Sequence, residues 1–596
     1  MKLPALRSLR RTKKTLAAFG GYDRRPGAAD GTWYDMTNMT ADRAPALAVR
    51  GRRGTVAVPG DGEITGIGCA LGKPAVTRGS LVVVGDDTVD LGLSPGPKKL
   101  VSFGAYLLVF PDGKYVNAAT LGTGGTPEFG DIDASATVTS EGDEPNASTL
   151  VCTTCDENGN DIVYSRTVST PQSPSNGDFW YDIGSTPAVL RQYRQDTDTW
   201  VGYEPYRKYR FDRAVTIPPG VGETVYIDPE IIRTQGGTDG SPRRGYFRLQ
   251  KKGADFFVVK GPVINRIYDG FTVRISRNVP KMDFVTEAGN RLWGCRYGDV
   301  DGKPVNEIWA SALGDFREWH AFENVSTDSY VASVGSDGPF TGAATYRGNP
   351  VFFKERTAHR VMGTTPSTFR ISTLECEGAG DGSDGSFASV GGLLYYVSPS
   401  GVMRYDGSSC EKISAPLGDG RFSASAAGEY GGKYYVGLTG ETASGLFVFD
   451  PRRRTWHRED GADVGGFCPV GSETYFFCRG GNALFTVGGS GGPYEDGIPW
   501  SVESGDFGLS SPRRRYLSRV TVKMSLPAGS RAELSVRYDG RGPFIPAAAV
   551  RGGPHGSFSI PIPLRRCGDF RIRISGVGYA EIFSVTLTGG EGSEYD

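Results

Sequence analysis

The stretch that decides the fold is a glycine-led strand that occurs three times, as GGLLYYV (residues 391–397), GGKYYV (431–436) and GSETYFF (471–477). Each copy places a turn-forming residue before a short apolar and aromatic run, which is typical of a strand that follows a tight turn. The steps between Gly392, Gly432 and Gly471 are 40 and 39 residues. Blades of four antiparallel strands repeat every ~40–50 residues, so this spacing predicts a β-propeller.

Looser copies of the same unit extend the repeat towards the N-terminus. They lie at residues 348–353, 289–293, 104–110 and 80–84. A second strand follows the first in three copies, at residues 401–406, 446–450 and 483–487. We therefore predict an all-β protein with a six- or seven-bladed β-propeller, built from residues 55–120 and 281–499.

Two segments do not show the blade repeat. Residues 121–280 carry short strands without the glycine-led pattern, and we predict an inserted β-rich domain there, because insertions of this size leave from loops. Residues 500–596 alternate strictly, as in the row from Val520 to Leu526, which predicts a C-terminal β-sandwich. Residues 1–54 are predicted to be an N-terminal arm and the entry to the propeller.

Composition limits the classes of function. Glycine accounts for 86 of the 596 residues, about twice the usual share, as expected for a chain with many tight turns. The net charge is -1, so no overall field draws the protein to DNA or to an anionic membrane. No apolar run reaches the ~18 residues of a membrane span. Nine cysteines, an odd number in a long chain, indicate reduced thiols.

No motif in the sequence carries a recognisable catalytic or metal site. Cys152 and Cys155 form a C-x-x-C pair without the second ligand pair that a zinc site requires. The run that starts at Asp156 departs from a calcium loop, because Asp161 stands where the turn needs glycine. No G-x-S-x-G nucleophile elbow stands on a strand-to-helix turn either. We therefore predict no catalytic residue, no metal and no cofactor, and a protein that is not an enzyme.

The N-terminal segment and one blade resemble a family of viral proteins. The segment contains Phe19-Gly20-Gly21, Asn38-Met39 and Arg43-Ala44-Pro45-Ala46-Leu47, and the blade contains Asn290-Arg291-Leu292-Trp293, Asn306-Glu307-Ile308-Trp309-Ala310-Ser311 and Trp319. Both resemble the nozzle or tail-hub proteins of short-tailed bacteriophages. The resemblance implies a structural virion protein in a homo-oligomeric ring, such as a hexamer, through which the genome leaves. It also implies assembly in the host bacterial cytoplasm and a final location in the phage tail.

Three basic segments are the candidate interfaces of such a ring. They comprise Arg10, Arg11, Lys13 and Lys14; Arg452, Arg453 and Arg454; and Arg513, Arg514 and Arg515. A compact run of cations can hold phosphate or an acidic neighbour, although a solvated loop charge is the alternative for each. The expected partners are neighbouring subunits, other phage tail or adaptor proteins, and DNA that passes without sequence-specific binding. The first segment is expected to lie outside the propeller.

A second hypothesis is a glycan-binding or glycan-cleaving β-propeller at the tail tip, which recognises a receptor. Trp180, Tyr193 and Trp200 in the insertion are the candidate contacts for a host surface glycan or a protein partner. The segment from Gly177 to Asp182 is similar to Gly-Asp-aromatic-Trp modules of phage tail-tip and carbohydrate-binding proteins. Glycan hydrolysis requires two carboxylates, and with 67 acidic residues the sequence does not single out a pair.

Overall fold

The computed structural model describes residues 11–140, 149–491, 493–508 and 514–591. They form 50 strands and three 3-10 helices, at Ala118–Thr120, Asp384–Ser386 and Ala415–Leu417, which confirms the all-β class. The chain divides into two compact units. The first comprises Met1–Phe129, Ser336–Met362 and Ile371–Asp596, and the second comprises Gly130–Gly335 and Gly363–Arg370. No helix in the described part is long and apolar enough to cross a membrane.

The N-terminal strands contribute to two different sheets, and two complete blades follow them. The first five strands are β1 (Thr12–Leu16), β2 (Trp33–Thr37), β3 (Met39–Thr40), β4 (Leu47–Val49) and β5 (Gly54–Val56). One four-stranded sheet contains β6 (Ile64–Ala70), β7 (Lys73–Arg78), β8 (Leu81–Val84) and β9 (Asp87–Asp90). The next contains β10 (Lys99–Phe103), β11 (Tyr106–Phe110), β12 (Lys114–Asn117) and β13 (Phe129–Asp131).

The insertion forms two further sheets. Its strands are β14 (Ala134–Thr139), β15 (Leu150–Cys155), β16 (Tyr164–Thr167), β17 (Phe179–Asp182), β18 (Val189–Arg194), β19 (Thr199–Gly202), β20 (Tyr206–Phe211), β21 (Thr224–Arg233), β22 (Gly236–Asp239), β23 (Gly245–Lys252), β24 (Phe256–Lys260), β25 (Asn265–Tyr268) and β26 (Gly270–Arg277). Nine of them form one sheet in the order β14-β26-β21-β23-β24-β20-β15-β25-β22, and β16–β19 form the other. The larger sheet has its own core, which includes Val225, Phe257 and Ile275. The insertion therefore starts after β13 rather than at the predicted residue 121.

Five more blades follow the insertion. Their strands are β27 (Phe284–Ala288), β28 (Arg291–Val300), β29 (Lys303–Ala310), β30 (Tyr330–Ser333), β31 (Phe340–Tyr346), β32 (Asn349–Lys354), β33 (Thr357–Met362), β34 (Arg370–Glu375), β35 (Ala388–Val390), β36 (Leu393–Ser398), β37 (Gly401–Tyr405), β38 (Cys410–Lys412), β39 (Phe422–Tyr430), β40 (Lys433–Gly440), β41 (Gly445–Asp450), β42 (Thr455–Arg458), β43 (Val464–Val470), β44 (Glu473–Cys478) and β45 (Leu484–Thr486). They form four sheets of consecutive strands, and the last sheet has the order β43-β44-β45-β5.

Two-residue turns explain why the glycine-led repeat forms antiparallel strand pairs. Val390 pairs with Leu393 across Gly391 and Gly392, whose φ angles are 59° and 78°. Positive φ at both positions is the type I′ turn, which matches the right-handed twist of a hairpin and favours glycine. The Gly-Gly of the next blade makes the same turn.

Consecutive blades of the first unit share hydrophobic clusters. One cluster joins β31–β34 to β35–β38, and others join β39–β42 to the last blade, that blade to β6–β9, and β6–β9 to β10–β13. The last blade takes its fourth strand from the N-terminus, because β5 pairs with β45. The prediction of six or seven blades is confirmed, since six four-stranded sheets belong to the first unit and a seventh, β27–β30, to the second.

The C-terminal sandwich is built around one long bent hairpin. Its strands are β46 (Pro499–Ser504), β47 (Arg515–Tyr538), β48 (Arg541–Pro561), β49 (Phe570–Val577) and β50 (Glu581–Glu591). The first half of β47 pairs with β50 and the second half with β49, so the strand changes layers near residues 527–530. Alternate residues on both halves, such as Val522 and Leu534, are buried in one hydrophobic cluster. The predicted sandwich is confirmed.

The N-terminal segment differs from the predicted arm. β1 pairs with β50, β2 pairs with β46, and β4 pairs with β50. Trp33, Met36 and Leu47 are buried in the same cluster as the sandwich strands, and this cluster extends into two blades. Burying apolar side chains is favourable by about 25 cal/mol per Å², which holds this segment against the C-terminal strands. Strands within residues 11–49 are therefore part of the sandwich, together with the C-terminal strands.

Candidate ligand-binding cavity

A cavity of about 380 Å³ lies within the second unit. One wall is the turn that leads into β21, with Arg248 of β23 beside it. The other wall is the long loop of residues 311–329, which connects β29 to β30. We call this the acidic cavity, because five carboxylates and two guanidinium groups line it. These are Glu223, Asp315, Glu318, Glu323, Asp328, Arg248 and Arg317.

Arg291 holds the loop of the acidic cavity in place. Its guanidinium is buried and donates to the carbonyl oxygens of Ser311, Ser326 and Asp328 at 2.5–2.8 Å. The ring of Phe369 lies 5.6 Å from the same guanidinium. Burial lowers the pKa of Arg291. The three carbonyl oxygens accept hydrogen bonds that water would accept from an exposed guanidinium. The loop backbone is thus fixed before any ligand binds.

Glu318 is a buried carboxyl of the cavity with a raised pKa. Glu318 as a whole is 7% exposed. One oxygen accepts a hydrogen bond from the backbone N–H of Thr224 at 2.5 Å, and the other accepts from the N–H of His320 at 2.9 Å. Burial raises the pKa of Glu318, and these hydrogen bonds offset the rise only in part. A carboxyl of this kind retains its proton at higher pH than an exposed one and can donate it to a ligand.

Three other carboxylates of the cavity are paired with cations. The pairs are Glu323 with Arg248 at 2.7 Å, Asp315 with Arg317 at 3.4 Å, and Glu223 with Arg277 at 2.6 Å. Asp315 is half-buried and Glu323 is exposed, so both carboxylates can be reached from solvent. Carboxylate acceptors beside guanidinium donors suit the neighbouring hydroxyl groups of a sugar, each of which donates and accepts.

The three predicted glycan contacts lie together in the β16–β19 sheet. The rings of Trp180 and Trp200 meet edge to face at 5.5 Å, and Tyr193 lies 5.4 Å from Trp200. Trp180 and Tyr193 are buried, whereas Trp200 is half-buried. The cluster therefore packs the small sheet and leaves part of one ring accessible. Its role as a glycan or partner contact stays a prediction.

Two of the three basic segments lie on either side of β50, which pairs with both β1 and β47. The exposed residues there are Arg11, Lys13, Lys14 and Arg514, with Arg515 half-buried. Lys14 pairs with Asp30 at 2.6 Å. The third segment lies on other strands, in the turn between β41 and β42, and comprises Arg452, Arg453 and Arg454. Arg453 pairs there with Asp450 at 2.9 Å. Arg10 and Arg513 lie outside the described residues.

The C-x-x-C pair lies in β15 and is buried. Burial raises the pKa of Cys155 to about 12 and also raises that of Cys152. Because the thiolate is the form that binds metals, these shifts disfavour metal binding by the pair. Within the described ranges, no group of three or more His, Cys, Asp or Glu residues is placed to hold a metal ion.

The prediction that the chain is not an enzyme rests on the absence of a local motif. The acidic cavity shows why that argument is weak, because its carboxylates come from the approach to β21 and from the β29–β30 loop, two segments far apart in the chain. Function resides in such assembled sites rather than in the fold or in one motif.

Comparisons with known proteins give a likeness of structure alone. No family model and no curated protein matches the chain. The extracellular domain of a one-component system from B. thetaiotaomicron matches with a TM-score of 0.25 and 9% identity, over 91% of both chains. An exo-β-1,3-galactanase from Phanerochaete chrysosporium matches with a TM-score of 0.19 and 10% identity, over 51% of this chain and 94% of that chain. A GH74 enzyme from Niastella koreensis matches with a TM-score of 0.20 and 12% identity, over 75% and 72%.

Two of these three proteins are enzymes, and none of the comparisons supports the prediction that the chain is not an enzyme, so that prediction is withdrawn. With TM-scores of 0.25 or lower, the likeness assigns no activity to this chain.

Proposed function

We propose that this protein is a glycan-binding or glycan-cleaving β-propeller protein and that the acidic cavity is its glycan site. The observation that carries the proposal is Glu318, a carboxyl with a raised pKa in a cavity that also holds carboxylates paired with guanidinium groups. The hydrolysis of a glycosidic bond requires two carboxyl groups, one of which donates a proton.

Glu318 is the proton donor in this proposal. Its carboxyl would protonate the glycosidic oxygen, while the more accessible Asp315 would act as the second carboxylate, either on the sugar or on a water molecule. Arg248 and the hydroxyl of Thr327 also line the cavity and would bind sugar hydroxyl groups. If the protein only binds its glycan, the same side chains serve as hydrogen-bond donors and acceptors.

The test combines a glycan array with an assay of reducing-sugar release, performed on the full-length protein. Wild type is compared with Glu318→Gln and Asp315→Asn. Glu204→Gln is the matched control, because Glu204 is a carboxylate of the same unit that is 58% exposed and pairs with Lys260 outside the cavity. Circular dichroism checks that each variant is folded.

The wild type and the control are expected to bind the same glycans. Loss of a general acid typically costs ~10²–10⁴-fold in rate, so a cleaving enzyme should lose sugar release in Glu318→Gln. A protein that only binds should show weaker array signals in both cavity variants and no release in any sample. No array binding by wild type, or equal binding and release by all four proteins, would contradict the proposal.

A structural role in a homo-oligomeric ring of a phage tail is the second proposal. It is supported by exposed cations on either side of β50, namely Lys13 and Lys14 of β1 and Arg514 just before β47, where an acidic neighbour or nucleic acid can bind. The ring would sit in the virion, contact other tail or adaptor proteins and let DNA pass without sequence-specific binding. Electron microscopy of the purified protein should then show rings, and dispersed monomers at every concentration would count against the role.

A further inference from the structure

Two cysteines from consecutive blades meet at the edge of the propeller. Cys376 directly follows β34, and Cys410 is the first residue of β38. Both thiols are half-buried against the hydrophobic cluster that joins these two blades. The two thiols are near enough to influence each other electrostatically, and the hydroxyl of Tyr396 donates to the sulfur of Cys410 at 3.3 Å.

The two thiols are not equivalent. The interaction with Cys376 is the largest influence on Cys410 and lowers the pKa of its thiol, although burial opposes the change. The same interaction, together with burial, raises the pKa of Cys376. The thiolate is the nucleophile in disulfide exchange, so Cys410 is the thiol that attacks first.

We propose that Cys376 and Cys410 are a modification site, at which a disulfide oxidant such as oxidised glutathione converts the thiol pair into a cross-link between two blades. The site is independent of the acidic cavity. Because both side chains pack against the same cluster at the junction of the two blades, we expect the bond to close with little movement of the backbone.

The reaction proceeds in two exchanges. The Cys410 thiolate attacks one sulfur of oxidised glutathione, which forms a mixed disulfide and releases one glutathione thiolate. Cys376 then loses its proton and attacks the sulfur of Cys410, which forms the Cys376–Cys410 bond and releases the second glutathione. The two cysteines lose two electrons and two protons, and the two glutathione molecules gain them as thiols.

The cross-link should stabilise the blade that it closes. The loop between the two cysteines contains β35, β36 and β37, so the bond restricts the unfolded form of a whole blade. The half-buried position lets the oxidant reach the thiols while the native packing holds them together.

The experiment treats the full-length protein with reduced and with oxidised glutathione. Peptide mapping of the oxidised wild type is expected to find one cross-linked peptide that joins Cys376 to Cys410, with the mass of two hydrogen atoms lost. Its melting temperature is expected to rise by about 5 °C relative to the reduced form and to return after treatment with a thiol reductant. Cys478→Ser, which changes another half-buried thiol, should behave like wild type. Cys376→Ser should stop at a glutathione adduct on Cys410.

Peptide mapping of the oxidised wild-type protein tests the proposal even if the cysteine variants fold poorly. Recovery of both cysteines as free thiols after prolonged oxidation would overturn the proposal, and so would a stable adduct on Cys410 in wild type. A cross-link that joins either cysteine to a different partner would also overturn it.

Discussion

Replacing Arg53 with alanine tests whether a buried ion-pair cluster secures the last blade. Arg53 directly precedes β5, the strand that completes this blade. Its side chain is 8% exposed and binds Glu459 at 2.5 Å and Asp460 at 2.7 Å. In the variant, Arg50 is left as the neighbouring cation, 3.6 Å from Glu459 and 3.5 Å from Asp460.

The expected loss follows from this geometry. Removing one partner of a buried ion pair costs ~3–5 kcal/mol, because the remaining charge is left without compensation. Since Arg50 still compensates part of the charge, we expect the lower end of the range, about 3 kcal/mol in the free energy of unfolding. The adjacent Arg52 is the matched control, because it is 61% exposed and lies 3.9 Å from Asp496. Its replacement by alanine is expected to cost less than ~1 kcal/mol.

Urea unfolding followed by tryptophan fluorescence measures both losses, and its pH dependence gives a second test. Burial alone would raise the pKa of Asp460, but Arg53 and Arg50 lower it overall. A carboxylate with a lowered pKa stabilises the fold above its unfolded pKa of about 3.9, and this contribution is lost as the pH falls further. The difference between wild type and Arg53→Ala should therefore shrink in acid.

Two outcomes would refute this reasoning. Equal losses of unfolding free energy in Arg53→Ala and Arg52→Ala at neutral pH would show that the buried ion pairs stabilise the blade no more than the exposed one. A difference between wild type and Arg53→Ala that stays constant from neutral pH into acid would show that Asp460 is not its partner.

Three further predictions concern the sandwich and the insertion. Val522→Asp places a carboxylate in the sandwich cluster and is expected to cost more than ~4 kcal/mol, whereas Lys523→Asp on the exposed face should be nearly neutral; thermal unfolding of both compares them. A fragment of residues 500–596 lacks β1–β4 and should melt well below the same fragment joined by a flexible linker to residues 11–50, and equal melting temperatures would contradict the role of the N-terminal strands. Trp180→Ala should destabilise the β16–β19 sheet by about 3–5 kcal/mol and leave glycan binding in the acidic cavity unchanged. Loss of glycan binding in a folded Trp180→Ala variant would instead show that the aromatic cluster contacts the glycan.

The blades could be predicted because their signals are local. The pair Gly391-Gly392 by itself predicts a type I′ turn, and the apolar and aromatic residues that follow it predict a buried strand. The N-terminal strands carry no such signal. Thr12 and Gly589 are 577 residues apart, yet the threonine hydroxyl hydrogen-bonds to the glycine carbonyl. A pairing across that distance is decided by the tertiary fold. The sequence of the N-terminal segment alone therefore predicts an arm and not a set of paired strands.

The acidic cavity could not be predicted for a related reason. Its carboxylates come from Glu223 and from the loop of residues 311–329, and only the fold brings these segments together. One signal was available in the sequence. The loop between β29 and β30 is much longer than the two-residue turns of other blades and carries Asp315, Glu318 and Asp328. A long acidic loop in a propeller is where a ligand site is expected.

The arginines near β5 show why runs of charge are hard to interpret without a structure. Arg50 and Arg53 are buried against carboxylates that lie far away in the chain, whereas Arg52, which lies between them, is exposed. A cation buried against an acidic partner adds nothing to the field at the surface, because the pair is neutral. Only an arginine left without such a partner can attract phosphate or an acidic protein. The interface role of any basic run therefore depends on which of its members the fold has already paired.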